Sequence, residues 1–328
     1  MTTTDTPPAA PAPPRRRVRT VAQRDARFGH LLLAPTLLVV LLVVVVPILW
    51  TVVLAFQELR VVQLRRRGIF GSFTLGNFAD VFTSPGFWTA LRTTVLFSVV
   101  GTIGSIGVGL VAALALRRGF RGRTLVRASM LLPYVAPVVA VTFVWQTMLN
   151  PQFGIVNAVG TGVLGWDAPV AFLSQRSAPV SLFGWQVDVP VALLTVMAFE
   201  IWRYFPFAFL FLTARIAALP GDLEEAAVVD GATISQRFRY VVFPQLLPTV
   251  ALLAVLRFIF TFNEFDDVYL LTGGAAGTQV ASVRVYDLLT ARGDIGAASA
   301  QALVLAGVLV VLLAVYFRFV GRPTEADT

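Results

Sequence analysis

Between Leu31 and Phe56 the chain runs for 26 residues without one charged side chain. As a helix rising ~1.5 Å per residue, this segment is longer than a hydrocarbon core of about 30 Å, so it crosses a bilayer with length to spare. Five more apolar stretches follow. Thr93–Leu116 is uncharged and ends at Arg117 and Arg118, and Ala128–Met148 is uncharged with prolines at 133 and 137. Val189–Ala214 is interrupted only by Glu200 and Arg203, and Leu246–Leu271 holds Arg257, Glu264, Asp266 and Asp267. Gly296–Phe317 is again uncharged and ends at Arg318. Only 13% of the 328 residues are charged, about half the share of a soluble domain. The expected fold is therefore an all-α integral membrane protein with six transmembrane helices, over about 31–56, 93–116, 128–148, 189–214, 246–271 and 296–317.

Residues 1–28 carry five prolines by Pro14 and six arginines, with almost nothing apolar to bury, and read as a disordered cytoplasmic tail. Residues 321–328 read as a second tail, leaving 29–320 as one membrane domain. The basic stretch ahead of Leu31 is reminiscent of a secretory signal, but the apolar run is too long and lacks a small-x-small cleavage site, so the first helix is expected to be retained. With the N-terminus inside, the inner segments carry 16 arginines and the outer ones 8. That bias places both termini in the cytoplasm. Arg65, Arg66 and Arg67 run against it, falling outside some nine residues beyond the first span.

What is missing narrows the chemistry. The chain has no cysteine, a single histidine (His30) and no lysine, all 26 basic residues being arginine. This rules out a disulfide framework, an iron–sulfur cluster and a thiol nucleophile. It also rules out a histidine-based zinc site and a nucleotide-binding P-loop lysine. No cofactor, metal or catalytic residue is expected. The net charge of +8 suits flanks lying against anionic lipid headgroups better than a nucleic-acid surface, which requires a basic face on a soluble fold. Gly101, Ser105 and Gly109 form a small-xxx-small stripe on the second span, expected to let another helix approach closely.

The segment 215–245 between the fourth and fifth spans reads as two short helices. Asp222 is placed to cap the first, with Glu225 completing a capping box, and Gly231 to end it in a left-handed conformation. Thr233 or Ser235 begins the second helix, and Pro244 is expected to close it before the fifth span. Such a pair lying at the inner membrane surface is either a solvated connector or a piece that docks into a groove on another protein. Here a resemblance becomes specific. Glu225-Ala226-Ala227, then Gly231, then Val241-x-Phe243-Pro244 resembles the EAA signature of permease subunits of binding-protein-dependent ABC importers, whose Ile-x-Leu-Pro ending is altered conservatively. Thr261-Phe-Asn-Glu-Phe-Asp-Asp-Val-Tyr-Leu-Leu-Thr-Gly-Gly274 is similar to a stretch of the maltose-type sugar permeases, except that Ala275 and Ala276 stand where proline is usual. Leu75-Gly-Asn-Phe78 and Phe87-Trp-x-Ala-Leu91 resemble that family's first outer loop.

The resemblance implies the type I importer permease fold, in the plasma membrane of a bacterium. It also implies a second homologous permease subunit, a cytoplasmic ABC ATPase dimer and an extracytoplasmic solute-binding protein as partners, with sugar or oligosaccharide as cargo. Glu225, Ala226, Ala227, Asp230, Gly231, Phe243 and Pro244 would couple the ATPase to the membrane helices. Independently of any family, Glu200, Arg203, Tyr204 and Phe207 share one helical face, and Arg257, Thr261 and Glu264 share another. Ionisable groups inside a span rarely face lipid, so the two stripes either line a substrate path or form structural ion pairs, Glu200 being within reach of Arg203 on its own helix. In the maltose-type subunit that this chain resembles, the corresponding positions fall on the sugar-contacting faces, though with mostly neutral polar or small side chains. Asn263, Asp266 and Asp267 fall on other faces, near the outer mouth. The competing readings are an ion- or proton-coupled carrier using Glu200, Asp266 and Asp267, which would not need an ATPase, and an ABC permease for another small polar solute.

Overall fold

A computed structural model describes residues 32–182 and 185–319; the tails expected at 1–28 and 321–328 lie outside the described residues. Ten helices organise the argument. They are α1 (Leu32–Ala55), α2 (Pro85–Ala115), α3 (Arg123–Val135), α4 (Val138–Met148), α5 (Val191–Ala217), α6 (Gly221–Val229), α7 (Ile234–Phe262), α8 (Asp266–Thr272), α9 (Ala281–Thr290) and α10 (Ile295–Phe319). Of these, α1, α2, α5, α7 and α10 are each long and apolar enough to cross a membrane, and α3 with α4 makes a sixth candidate, bent by 97°. By contact the chain divides into a unit ending at Val53 and a unit from Leu54 onward. The architecture below is that of the second.

Proline explains where the helices depart from the expected spans. In the third span, Ala136 precedes Pro137 and takes an extended conformation (φ −66°, ψ 143°). A proline ring disfavours the helical region for the residue before it, so the expected continuous helix 128–148 is broken there. Both π-turns lie just ahead of a proline: Leu41–Val45 ahead of Pro47 and Phe238–Val242 ahead of Pro244. A wide turn absorbs the missing N–H and the ring's crowding of the preceding turn. Pro244 therefore does not close a short helix, as the sequence suggested; α7 runs through it from the loop to Phe262. The expected span 246–271 in turn stops early. Residues 263–265 break the helix, and α8 starts with Asp266 and Asp267 in its first turn, where acidic side chains suit the positive end of the helix dipole. Glu264 accepts a hydrogen bond from the backbone N–H of Asp267 (3.2 Å), securing that start.

The core lies along the crossing of α2 and α5. One half buries Ile106, Ala112 and Ala113 of α2 against Ala208, Phe209, Leu212 and Ile216 of α5 and Leu246 and Leu253 of α7. The other half buries Phe97 against Val196, Met197 and Phe199 of α5, Val268 and Leu271 of α8, and Val283 of α9. The small-residue stripe makes this crossing possible. A Cβ at Gly109 would lie 2.8 Å from the Ala208 Cβ and the Phe209 nitrogen, and one at Gly101 would lie 3.0 Å from Glu200 Cγ. Gly109→Val is therefore expected to force the helices apart and lose about 1–3 kcal/mol or more, read as a lower melting temperature and poor recovery from detergent. Gly107→Ala, with open space at its Cβ, should behave as wild type.

At the end of the bundle holding the α2, α5 and α10 N-termini, short elements make a cap. Gln57–Glu58 pairs antiparallel with Ser72–Phe73, and Ala178–Leu182 with Trp185–Val189. The α9 backbone is tied to α2 by a bond from the Ala281 N–H to Thr94 Oγ1 (2.8 Å), and α4 to α8 by Gln146 donating to the Leu270 carbonyl (2.7 Å).

Candidate functional site

The two polar stripes meet. Glu200 and Arg257 form an ion pair between α5 and α7, with Arg257 Nη2 also donating to Thr261 Oγ1 (2.9 Å) and Thr261 donating to Glu200 Oε1 (2.9 Å). Glu200 is wholly enclosed, and Arg257 and Thr261 are 2% and 1% exposed. Arg203 does not pair with Glu200 on its own helix. Its guanidinium reaches across to Asp267 at the start of α8, a carboxylate with no exposed surface. Tyr204 holds the middle, donating to Glu264 Oε2 (3.2 Å) while its ring lies 4.0 Å from the Arg257 guanidinium carbon and 5.0 Å from that of Arg203. Such cation–π contacts favour a guanidinium held out of water. Phe207 sits one turn along α5, its ring 4.9 Å from Phe211 and 6.0 Å from Tyr134 of α3. Asp267, assigned by sequence to another face near the outer mouth, is a member of the cluster; Asn263 and Asp266 are exposed. The break at 263–265 turns Asp267 back toward α5, which helical spacing carried past Phe262 could not anticipate.

The second assembly is the elbow between α5 and α7. Pro220, extended at φ −60° and ψ 126°, starts α6 two residues before the expected cap. Asp222 and Glu224 accordingly lie in the first turn, favourable for the dipole, and the Asp222–Glu225 capping box does not form. At the other end the glycine expectation holds. Gly231 has φ +77°, its N–H bonds the Val228 carbonyl (3.0 Å), and the Ala232 N–H bonds the Ala227 carbonyl (2.9 Å). These two bonds are a Schellman cap, and they explain the spacing of Ala227 and Gly231, which occupy its third-from-last helical and left-handed positions. Thr233 then starts α7 with a capping box to Gln236. Glu225, Ala226, Asp230, Gly231 and Pro244 are exposed, Ala227 and Phe243 half-buried. On α6, Leu223, Val228 and Val229 are 50%, 53% and 87% exposed. Arg117, just beyond the end of α2, grips Glu224 by donating from both terminal guanidinium nitrogens, Nη1 to Oε2 at 2.9 Å and Nη2 to Oε1. The 107-residue separation of that pair hid it from sequence reading.

Residues 105–322, which include the cluster and the elbow, match the family model described as binding-protein-dependent transport system inner membrane component. The chain belongs to that family. It is therefore the permease component of an ABC importer, an inner-membrane protein, and ATP hydrolysis resides in a separate subunit. The permease is 34% identical over 282 residues to the inner membrane ABC transporter permease protein YcjO of Escherichia coli (strain K12), covering 86% of this chain and 90% of the relative. It is 31% identical to the trehalose/maltose transport system permease protein MalF of Thermococcus litoralis, covering 91% and 95%. Its fold matches a chain of a bacterial alginate ABC transporter solved in complex with an alginate pentasaccharide-bound periplasmic protein, with TM-score 0.76, 23% identity and coverage of 93% and 98%.

The Arg117–Glu224 bridge ties the permease's elbow to α2. Arg117→Ala is expected to change stability by only about 1 kcal/mol, since both side chains reach solvent, yet to lower substrate-stimulated ATP hydrolysis several-fold in the assembled transporter. Recovery in the Arg117→Glu, Glu224→Arg swap would assign the effect to the bridge.

Proposed function

We propose that this permease is one of two homologous membrane subunits of an importer for a sugar or oligosaccharide, driven by a cytoplasmic ATPase dimer and loaded by an extracytoplasmic binding protein. In this reading residues 29–320 cross the membrane six times, the bent α3–α4 pair being one crossing, with both termini in the cytoplasm. The elbow then faces the cytoplasm, and Glu225, Ala226, Ala227, Asp230 and Gly231, backed by Phe243 and Pro244, seat it in the ATPase. The observation that carries this reading is the continuity of α7. From Ile234 to Arg257 it is one continuous helix about 35 Å long, running through the π-turn at Phe238–Val242 and past Pro248, so the elbow and the Glu200–Arg257–Thr261 contact belong to the same helix. Glu200, Arg203, Tyr204, Phe207, Arg257, Thr261 and Glu264 line the path, and their mutual pairing closes it. The cargo class follows from relatives whose names and titles give trehalose/maltose and alginate.

The test is reconstitution of the permease with its partner subunits in vesicles, together with a screen of sugars for thermal stabilisation of the binding protein. Uptake of the stabilising sugar should require ATP and the binding protein. Uptake that persists without the ATPase and collapses with an ion gradient would establish a secondary carrier instead.

A further inference from the structure

The buried cluster does not balance in charge. Two guanidinium groups, Arg203 and Arg257, face three carboxylates, Glu200, Glu264 and Asp267, whose oxygens come within 4.8 Å of one another. Taken as fully ionised, the five carry one negative charge in excess. Glu200 and Asp267 are wholly enclosed, and each keeps one oxygen, Oε2 and Oδ2 respectively, without any donor.

The donors nearby are committed elsewhere. Arg257 and Thr261 serve Glu200 Oε1, Arg203 serves Asp267 Oδ1, and the Tyr204 hydroxyl and the Asp267 backbone N–H serve Glu264. The Nε–H groups of Arg203 and Arg257 are buried but bond neither free oxygen. On α2, Gly101 faces Glu200 and brings no charge. Each of the two carboxylates has an arginine at its other oxygen only, so among the described residues nothing offsets the third negative charge of the group or gives the two free oxygens a donor.

We infer that Glu200 and Asp267 share one resident proton, bound between Glu200 Oε2 and Asp267 Oδ2. A single proton supplies the missing donor and brings the five side chains to neutrality. A metal cation would supply the charge, but it draws on a shell of several oxygens, and here Oε1 and Oδ1 already face guanidinium groups that repel it. The inference rests on the charge balance and stands whether or not the cluster lines the substrate path. It makes the contact between α5, α7 and α8 dependent on pH, since removing the proton returns an uncompensated charge to the interior.

Infrared difference spectra of the full chain in an ester-free detergent, recorded from about pH 6 to about pH 9 in light and heavy water, test this. A protonated-carboxyl C=O band should persist at neutral pH, shift in heavy water, and be lost in both Glu200→Gln and Asp267→Asn. Either amide donates to the opposite oxygen and removes one charge, taking over both tasks of the proton. A wild-type spectrum without that band at neutral pH would overturn the inference whether or not the variants fold. A band that vanishes, with a rise in melting temperature, when sodium replaces choline would overturn it in favour of a bound metal cation.

Discussion

Arg257→Ala is expected to be the most damaging single substitution in the cluster, lowering the melting temperature sharply and abolishing uptake. Arg257 is 2% exposed and gives hydrogen bonds to Glu200 and Thr261 while lying 4.0 Å from the Tyr204 ring. Its removal leaves Glu200 enclosed without a cation. Breaking one side of a buried ion pair costs about 3–5 kcal/mol, a large part of the about 5–15 kcal/mol that holds an ordinary domain together. The opposite substitution should be mild. Glu200→Gln takes away one of three negative charges and leaves two of each sign, with the amide able to meet Asp267. The double variant Glu200→Gln, Arg257→Met should therefore recover much of the folded protein that Arg257→Ala loses, because a neutral amide at 200 no longer needs a cation and methionine refills the volume of the guanidinium. Melting curves and size-exclusion profiles of the purified chain read the asymmetry directly. Equal stability of Arg257→Ala and wild type would mean that Glu200 does not need its cation, and the closed-path reading would lose its basis.

The asymmetry also shows what sequence reading could and could not reach. The spans are legible because a bilayer selects for long uncharged runs, and a count of charges finds them. Their ends are less so. A charge stops an apolar run without stopping a helix, so α2 begins at Pro85 and not at Thr93, with Arg92 exposed on its surface. The bend at Ala136–Pro137 had a local signal in the residue before proline, but apolar periodicity alone reads straight through it. Within one helix, spacing shows which side chains are neighbours, and it correctly put Glu200, Arg203 and Tyr204 together. It could not show that the partners lie on other helices. Arg203 matches Glu200 in sequence because Glu200 is the one carboxylate at i±3 or i±4 on its own helix, whereas the helix break after Phe262 delivers Asp267 instead. The elbow was the most legible part, since caps and left-handed glycines are encoded within a few residues. Even there, the clasp from Arg117 to Glu224 depends on how α2 and α6 come together.

Gly231 offers the largest expected functional effect with the smallest effect on the fold. Among the described residues no atom lies within 4 Å of the position its Cβ would take, so nothing in the elbow is sterically displaced by a side chain there. The difficulty is the backbone, whose φ of +77° costs an L-residue about 1–2 kcal/mol and is tolerated best by asparagine. A β-branched residue suffers most. Gly231→Val should thus loosen the Schellman cap and change the direction in which α6 leaves α7, while the membrane helices insert and melt as in wild type. A shift of ~1–2 kcal/mol moves a conformational population by about 5–30-fold. In the reconstituted transporter, uptake and substrate-stimulated ATP hydrolysis should fall by at least that factor in Gly231→Val, by less in Gly231→Ala, and hardly at all in Gly231→Asn. That order follows left-handed propensity and not side-chain volume, since asparagine is larger than alanine. Should the three variants rank by size instead, the loss would come from obstruction at the ATPase surface and not from the angle of the elbow; undiminished hydrolysis in Gly231→Val would remove the elbow from the coupling path altogether.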